Sequence, residues 1–136
     1  MRAGLFLLMA GAFIAAVPAY AHHSFAATYD EGTLITVDGK VGEFLFRNPH
    51  CLFSVETTDD QGKVTKWSVE WFGAGRLGRA GVTEATFQPG DRVIMTGAPG
   101  RYGSDHRLHL KTIVRPSDGL KFDNKSVGFY PRGPAR

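Results

Sequence analysis

Cysteine is almost absent from this sequence, because Cys51 is the only cysteine among 136 residues. An internal disulfide is therefore excluded, whatever the redox state of the compartment. Cys51 begins a stretch in which apolar and polar residues alternate, as they do in a half-buried strand. We expect its side chain to be a small buried hydrophobe rather than a reactive thiol.

The motifs of the common enzyme classes are also missing. The sequence contains no G-x-S-x-G, no phosphate loop, no H-E-x-x-H and no C-x-x-C-H. A run of basic residues is absent too, although the formal net charge is +3, and this argues against nucleic acid as a partner. We expect a binding module, not an enzyme, and assign no catalytic residue; a copper-dependent oxidase is the enzyme alternative.

Only one long uncharged apolar run is present, over residues 6–17. It is shorter than the roughly 20 residues that span a bilayer as a helix. Arg2 precedes it and a small-x-small site, Ala19-Tyr20-Ala21, follows it. This order predicts a secretory signal peptide over residues 1–21, cleaved near Ala21. We expect an exported protein with neither a lipid anchor nor a stable membrane insertion.

Period-two alternation of apolar residues predicts a mainly β protein. The first strand, residues 34–47, changes parity beside Gly42, which is typical of a bulge. Two strands follow, then a short helix within residues 73–81, then two more strands. This order predicts a small five-stranded OB-like barrel with one short helix. A small β-sandwich is the alternative for the same strands.

The expected organisation has four parts, divided where the composition changes. A signal peptide, an N-terminal arm, an OB-like β-barrel domain and an irregular tail occupy residues 1–21, 22–32, 33–118 and 119–136, respectively.

All five histidines lie after the predicted cleavage site. Cleavage after Ala21 makes His22 the first residue, and its free amine and ring can then chelate one ion together. His23 adds a second imidazole, and His50, in an Asn-Pro-His turn, is the best candidate for a third ligand. Nitrogen-rich sites of this kind suit copper(II) among the transition metals. We therefore predict a metal site of His22, His23 and His50.

Other polar and aromatic residues are given structural interpretations. His106 and His109 are three residues apart on one strand, so they point to opposite faces and are not expected to pair as ligands. We expect His109 to lie on a solvated basic face and Glu70 to be an exposed charge. Trp67 and Trp71 share the inward parity and are expected in the core.

Four short motifs, taken in their order and spacing, resemble one known family. They are His22-His23-Ser24-Phe25, Asn48-Pro49-His50, Trp67 to Glu70, and Pro89-Gly90-Asp91. The chain is similar, up to about Asp118, to the small exported bacterial proteins grouped as domain-of-unknown-function 6152. The resemblance implies a Gram-negative periplasmic setting and brings no established activity.

A metal-free module is the main alternative function. OB-like barrels bind their ligands across the second and third strands. In that case a peptide, a glycan or a protein partner would contact Lys66, Ser68 and Glu70 and the aromatic residues of the tail. The histidines would then contribute little.

Overall fold

Short helices and six β-strands make up residues 25–125, which are the residues that the computed structural model describes. In chain order the elements are α1 (Phe25–Thr28), β1 (Ile35–Leu45), β2 (Leu52–Thr58), β3 (Val64–Glu70), α2 (Ala74–Arg79), β4 (Arg92–Pro99), a 3₁₀ turn (Gly103–Asp105), β5 (Arg107–Arg115) and β6 (Leu120–Asp123). No helix among residues 25–125 is long and apolar enough to cross a membrane.

The strands form one sheet in the order β3-β2-β1-β4-β5-β6. A further parallel pairing, between β3 and β5, joins the sheet to itself and closes a five-stranded barrel. The short helix α2 lies between β3 and β4 in the chain. The predicted OB-like barrel with one short helix is therefore confirmed, and the sandwich is not formed.

Strand β1 is long and bent, as its change of parity predicts. Its pairing with β2 shifts register between Val41 and Glu43, which is a bulge. Gly39 lies against β2, and a Cβ atom there would stand 2.5 Å from the carbonyl oxygen of Glu56. Glycine is therefore required where the first strand passes from β4 to β2.

The core fills the inside of the barrel with apolar side chains from every barrel strand and from α2. Its largest fully buried members are Trp71, Phe53, Phe87, Leu77, Met95, Leu108, Leu110 and Ile113. Cys51 is fully buried, as predicted. Trp71 is a core residue, as predicted, and Trp67 is partly buried against the same cluster.

The expectation about the C-terminal tail is wrong. The segment expected to be irregular from residue 119 contains β6, which pairs with β5 through contacts such as Ile113 with Phe122. The inward parity of β5 also changes along the strand: Leu110 points inward, but Ile113 rather than Thr112 continues the core. The reason is a register shift between β4 and β5, which adds one residue to β5.

Candidate functional site

A cluster of polar side chains lies outside the barrel, over the seam where β3 and β5 pair. The parallel register of the two strands places Glu70 opposite His109. The N-terminal arm crosses this seam, because Tyr29 forms a bridge with Gly100 and the amide of Asp30 donates to the carbonyl of Pro99. Strand ends, arm and turn therefore converge on one small region.

His50 and Glu70 form the first pair of this cluster. The two atoms His50 Nδ1 and Glu70 Oε1 are 2.5 Å apart. The other carboxylate oxygen of Glu70 accepts a hydrogen bond of 2.7 Å from the Tyr29 hydroxyl. Since Nδ1 of His50 faces a carboxylate, the Nδ1 proton is held there and Nε2 keeps its lone pair in the neutral imidazole.

His109 and Glu31 form a second pair with the same pattern. Nδ1 of His109 is 2.6 Å from Oε1 of Glu31. Lys111 lies beside both, with its Nζ 2.5 Å from the other oxygen of Glu31 and 2.9 Å from Nδ1 of His109. The carboxylate of Glu31 thus accepts from one side chain on each oxygen, as Glu70 does.

Phe25 contacts both histidines of the cluster. Its ring is stacked on the ring of His109, with centroids 3.6 Å apart and planes 4° from parallel. The same ring is 4.9 Å from the ring of His50. Tyr29, one turn further along the arm, is 5.5 Å from His109. The first described residue of the arm therefore covers both carboxylate–histidine pairs.

Burial sets the protonation of this cluster. It lowers the pKa of His109, against the opposing effect of the Glu31 carboxylate, so the imidazole stays neutral at neutral pH. Burial also raises the pKa of Tyr29, as does the hydrogen bond to Glu70, so the phenol remains a donor. For Glu31, burial acts to raise the pKa, but the bonds from Lys111 and His109 outweigh it and lower the pKa.

One polar atom of the cluster has no partner. The His109 side chain is 6% exposed, and its Nε2 atom has no hydrogen-bond partner among the described residues. Leaving such a group unsatisfied costs about 1–3 kcal/mol, and among the described residues it is the one buried side-chain nitrogen or oxygen without a partner.

Of the three predicted metal ligands, only His50 lies among the residues that the structure describes. His50 lies in the cluster, with its side chain 31% exposed, whereas His22 and His23 lie outside residues 25–125. No group of three or more histidine, cysteine or acidic side chains within 25–125 is placed to hold a metal ion. A site at His50 therefore needs ligands beyond those the described residues supply as they stand.

Two expectations about single residues are wrong. Glu70 is not an isolated exposed charge, because it contacts His50 and Tyr29. His109 does not lie on a solvated face: it points away from the core, as expected, but the arm covers it and leaves it 5% exposed. The strand parity was correct, and the covering arm was the missing information.

Part of the site carries a signal in the sequence. The β2–β3 hairpin pairs Leu52 with Glu70, so His50, two residues before Leu52, has the same outward parity as Glu70 and lies diagonally near it. Pairing the residues of β2 and β3 one by one, starting from the turn that joins the strands, therefore identifies His50 and Glu70 as neighbours. Nothing local identifies Glu31 as the partner of His109, because 78 positions separate them.

Comparison with known proteins gives one result. A family model described as a family of unknown function (DUF6152) matches residues 11–109. That span includes β1 to β4, the arm, and His109 itself. A search of the curated proteins finds no match.

Proposed function

Because the chain belongs to the DUF6152 family, whose function is unknown, we propose a function from the chemistry of its own residues. The protein is an exported periplasmic module that binds a transition metal, with copper(II) as the best-suited ion. The ligands are the amine and ring of His22 as the processed N-terminus, the ring of His23, and Nε2 of His50. The role is binding rather than catalysis.

The observation that carries this proposal is the way His50 is held. Histidines that bind metals almost always donate the other ring N–H to a carboxylate or carbonyl, which fixes the ring and makes it a better ligand. The 2.5 Å contact from His50 Nδ1 to Glu70 provides that support, and Tyr29 fixes Glu70 in turn. His50 is also partly exposed, so an ion can reach Nε2.

Covalent geometry lets the arm supply the remaining ligands. Phe25 contacts His50, and only Ser24 separates Phe25 from His23. Consecutive Cα atoms are about 3.8 Å apart, so the Cα of His23 stays within about 8 Å of that of Phe25. The imidazoles of His22 and His23 are therefore within reach of the ring that Glu70 holds.

Copper(II) fits this set of ligands better than the other common ions. An amine and imidazole rings form a nitrogen-rich set, which copper(II) binds in a tetragonal arrangement. Copper(II) also stands at the top of the affinity order for first-row divalent ions at a given nitrogen site. Zinc is the nearest competitor, because imidazole suits it as well.

Calorimetric titration with copper(II), followed by EPR of the loaded protein, tests the proposal. The sample is protein that a bacterial host has exported and processed, with its N-terminus read by mass spectrometry. We expect the double variant His22→Ala, His23→Ala and the single variant His50→Asn each to bind at least about tenfold more weakly. The control is His106→Asn, at an exposed position with φ of 41°, which asparagine tolerates.

Two results count against the proposal. If the processed protein and the His22→Ala, His23→Ala variant bind copper(II) with equal dissociation constants, His22 and His23 are not ligands. Recovery of the protein in the cytoplasmic fraction, with residues 1–21 still attached, removes both the export signal and the free His22 amine. Mass spectrometry and metal analysis of a single periplasmic sample answer both questions.

A metal-free binding module remains the second candidate. The outer face of β2 and β3 carries polar side chains, among them Lys66 and Glu56, with 73% and 45% of their side chains exposed. OB-like barrels bind ligands on this face. Capture from a periplasmic extract of the same peptide, glycan or protein partner by wild type and by a variant lacking His22, His23 and His50 supports this candidate instead.

A further inference from the structure

We infer that His109 makes the docking of the N-terminal arm sensitive to acid, so that protonation of this one imidazole releases the arm from the seam. Three residues of the arm contact His109. The Phe25 ring stacks on its ring at 3.6 Å, the Tyr29 ring lies 5.5 Å away, and Oε1 of Glu31 is 2.6 Å from its Nδ1 atom. Release of the arm is independent of the proposed copper site and goes beyond it.

The docked arm leaves no acceptor for a second ring proton on His109. The side chain is 6% exposed, and its Nε2 atom has no hydrogen-bond partner among residues 25–125. An imidazolium carries a proton on both ring nitrogens, so the charged ring would bury one N–H group without an acceptor, whichever nitrogen is protonated in the neutral ring. An unsatisfied buried donor costs about 1–3 kcal/mol, and more when it is charged. Water meets this need once the arm has left the ring.

The charges around the ring do not compensate for an added proton. Nζ of Lys111 is 2.9 Å from Nδ1 of His109, and Glu31 is already paired with Lys111. Burial is the largest influence and lowers the pKa of His109; the bond to Glu31 opposes it, Lys111 adds to it, and Glu70 opposes it. The titratable and charged groups around His109 are Glu31 and Tyr29 of the arm, Lys111 and Arg107 of β5, Glu70 of β3, and His50 on the other side of Phe25.

Proton linkage fixes the direction of the effect. With the arm docked, the pKa of His109 lies below the ordinary value of 6.5, whereas exposure to water on release returns the pKa toward that value. The released form therefore binds the proton more tightly, and acid shifts the equilibrium toward release. The carboxylates of Asp30 and Glu31 do not cause this effect, because both have lowered pKa values and remain charged at about pH 5.

Hydrogen exchange followed by NMR tests the release of the arm. Two amides report on the docked arm: that of Asp30, which donates to the Pro99 carbonyl, and that of Arg101, which donates to the Thr28 carbonyl. The amide of Val41 bonds within the barrel and reports on global unfolding. We expect the protection factors of the two arm amides to fall at least about threefold between about pH 7 and about pH 5, and by no more than about tenfold per pH unit, since one proton is involved. The factors are corrected for the intrinsic effect of pH on exchange.

The variant His109→Asn assigns the effect to one residue. Asparagine keeps an N–H donor near the position of Nδ1 for Glu31 but takes up no proton, so we expect arm protection in this variant to be independent of pH over the same range. His106→Asn is the matched control at an exposed histidine. His50→Asn controls for the other histidine that contacts Phe25. We expect both control variants to keep the pH dependence of the wild type.

A measurement on the wild type decides if His109→Asn does not fold, as judged by circular dichroism. In protein labelled with ¹⁵N-histidine, the ring of His109 reports its own protonation, and we expect this to occur over the pH range in which arm protection falls. An arm that stays protected while His109 takes up its proton overturns the inference. An Asp30 amide that exchanges as slowly as that of Val41 at about pH 5 also overturns it, because the arm then opens only with the barrel. Unchanged pH dependence in a folded His109→Asn variant does so as well.

Discussion

Glu70 has both carboxylate oxygens occupied, one by Nδ1 of His50 and one by the Tyr29 hydroxyl. The phenol keeps its proton because burial and the carboxylate raise its pKa. Binding a metal with either oxygen would break one of these contacts. In the proposed copper site Glu70 is therefore a positioning residue, which acts through the orientation of His50, and not a ligand.

Replacing Glu70 by glutamine tests that role. The amide has the same size but lacks the charge that fixes the Nδ1 proton of His50, so we expect copper(II) affinity to fall about 10–100-fold. The number of nitrogen couplings in the EPR spectrum stays the same, because His50 remains a ligand. Glu56→Gln on the outer face of β2 is the control, since Glu56 contacts only exposed Lys66 among the ion pairs described.

His109 predicts a pH dependence of stability whose sign follows from its environment. Its pKa in the folded protein lies below the ordinary value of 6.5, so the unfolded chain takes up the proton first as pH falls. The contribution of this residue is therefore complete above about pH 6.5 and is lost on acidification. We expect the free energy of unfolding, from urea titrations at about pH 7 and about pH 5, to fall more in wild type than in His109→Asn. If the free energy of unfolding falls equally in both proteins between these pH values, the folded protein protonates His109 as readily as the unfolded chain does.

At the scale of secondary structure elements, the junction of β4 and β5 places Ile113 rather than Thr112 in the core. The register of the two strands shifts after Thr96, and Gly97 lies so close to β5 that a Cβ atom there would overlap the backbone carbonyl group of His109. This close approach lets β5 carry one extra residue there. His109 and Lys111 both contact Glu31 of the arm, and after the extra residue Ile113 returns to the core.

Gly97→Ala is expected to destabilise the fold. A methyl group there overlaps backbone atoms, which cannot rotate away as a side chain does, so we expect a loss of about 1–3 kcal/mol or more in the free energy of unfolding. Gly103→Ala is the matched control, because nothing lies within 4 Å of a Cβ atom at that position. Chemical denaturation of both variants measures the effect, and a loss at Gly97 no larger than at Gly103 contradicts the close approach.

The elements themselves could be predicted because their signals are local. Alternation in residues 51–56 identified which side chains of β2 point inward, and the change of parity beside Gly42 located the bend of β1. The extra residue in β5 could not be predicted, since it depends on how closely Gly97 of another strand approaches. β6 was missed for a similar reason: it is four residues long, and its pairing with β5 defines it.

At the scale of the whole molecule, the site exists only where distant segments meet. Glu70 and Tyr29 are 41 positions apart, and His109 and Glu31 are 78 apart. Barrel closure by β3 and β5 brings their ends together, and the arm then covers the seam. The sequence could suggest His50 as a candidate from its turn, but its partners depend on the closed barrel. This is why the candidate site was only partly predictable.

The proposed copper site lies across the seam, so metal binding is expected to increase the stability of the whole barrel. His50 precedes β2 and its partner Glu70 ends β3, so an ion bound by His50 and the arm in the proposed site joins segments that separate on unfolding. A ligand that binds only the folded state stabilises it by RT ln(1 + [L]/Kd), or about 2.7 kcal/mol at a free concentration about 100 times Kd.

We expect an increase of at most that size for copper(II) in the free energy of unfolding of the processed protein, since histidines of the unfolded chain also bind some copper. The increase should be retained in His106→Asn and reduced by at least about 1.4 kcal/mol in His50→Asn, because a tenfold weaker site loses that much at a fixed copper concentration. Urea titrations with and without copper(II) at a fixed free concentration measure it. An equal gain in His50→Asn would mean that the ion binds away from the seam.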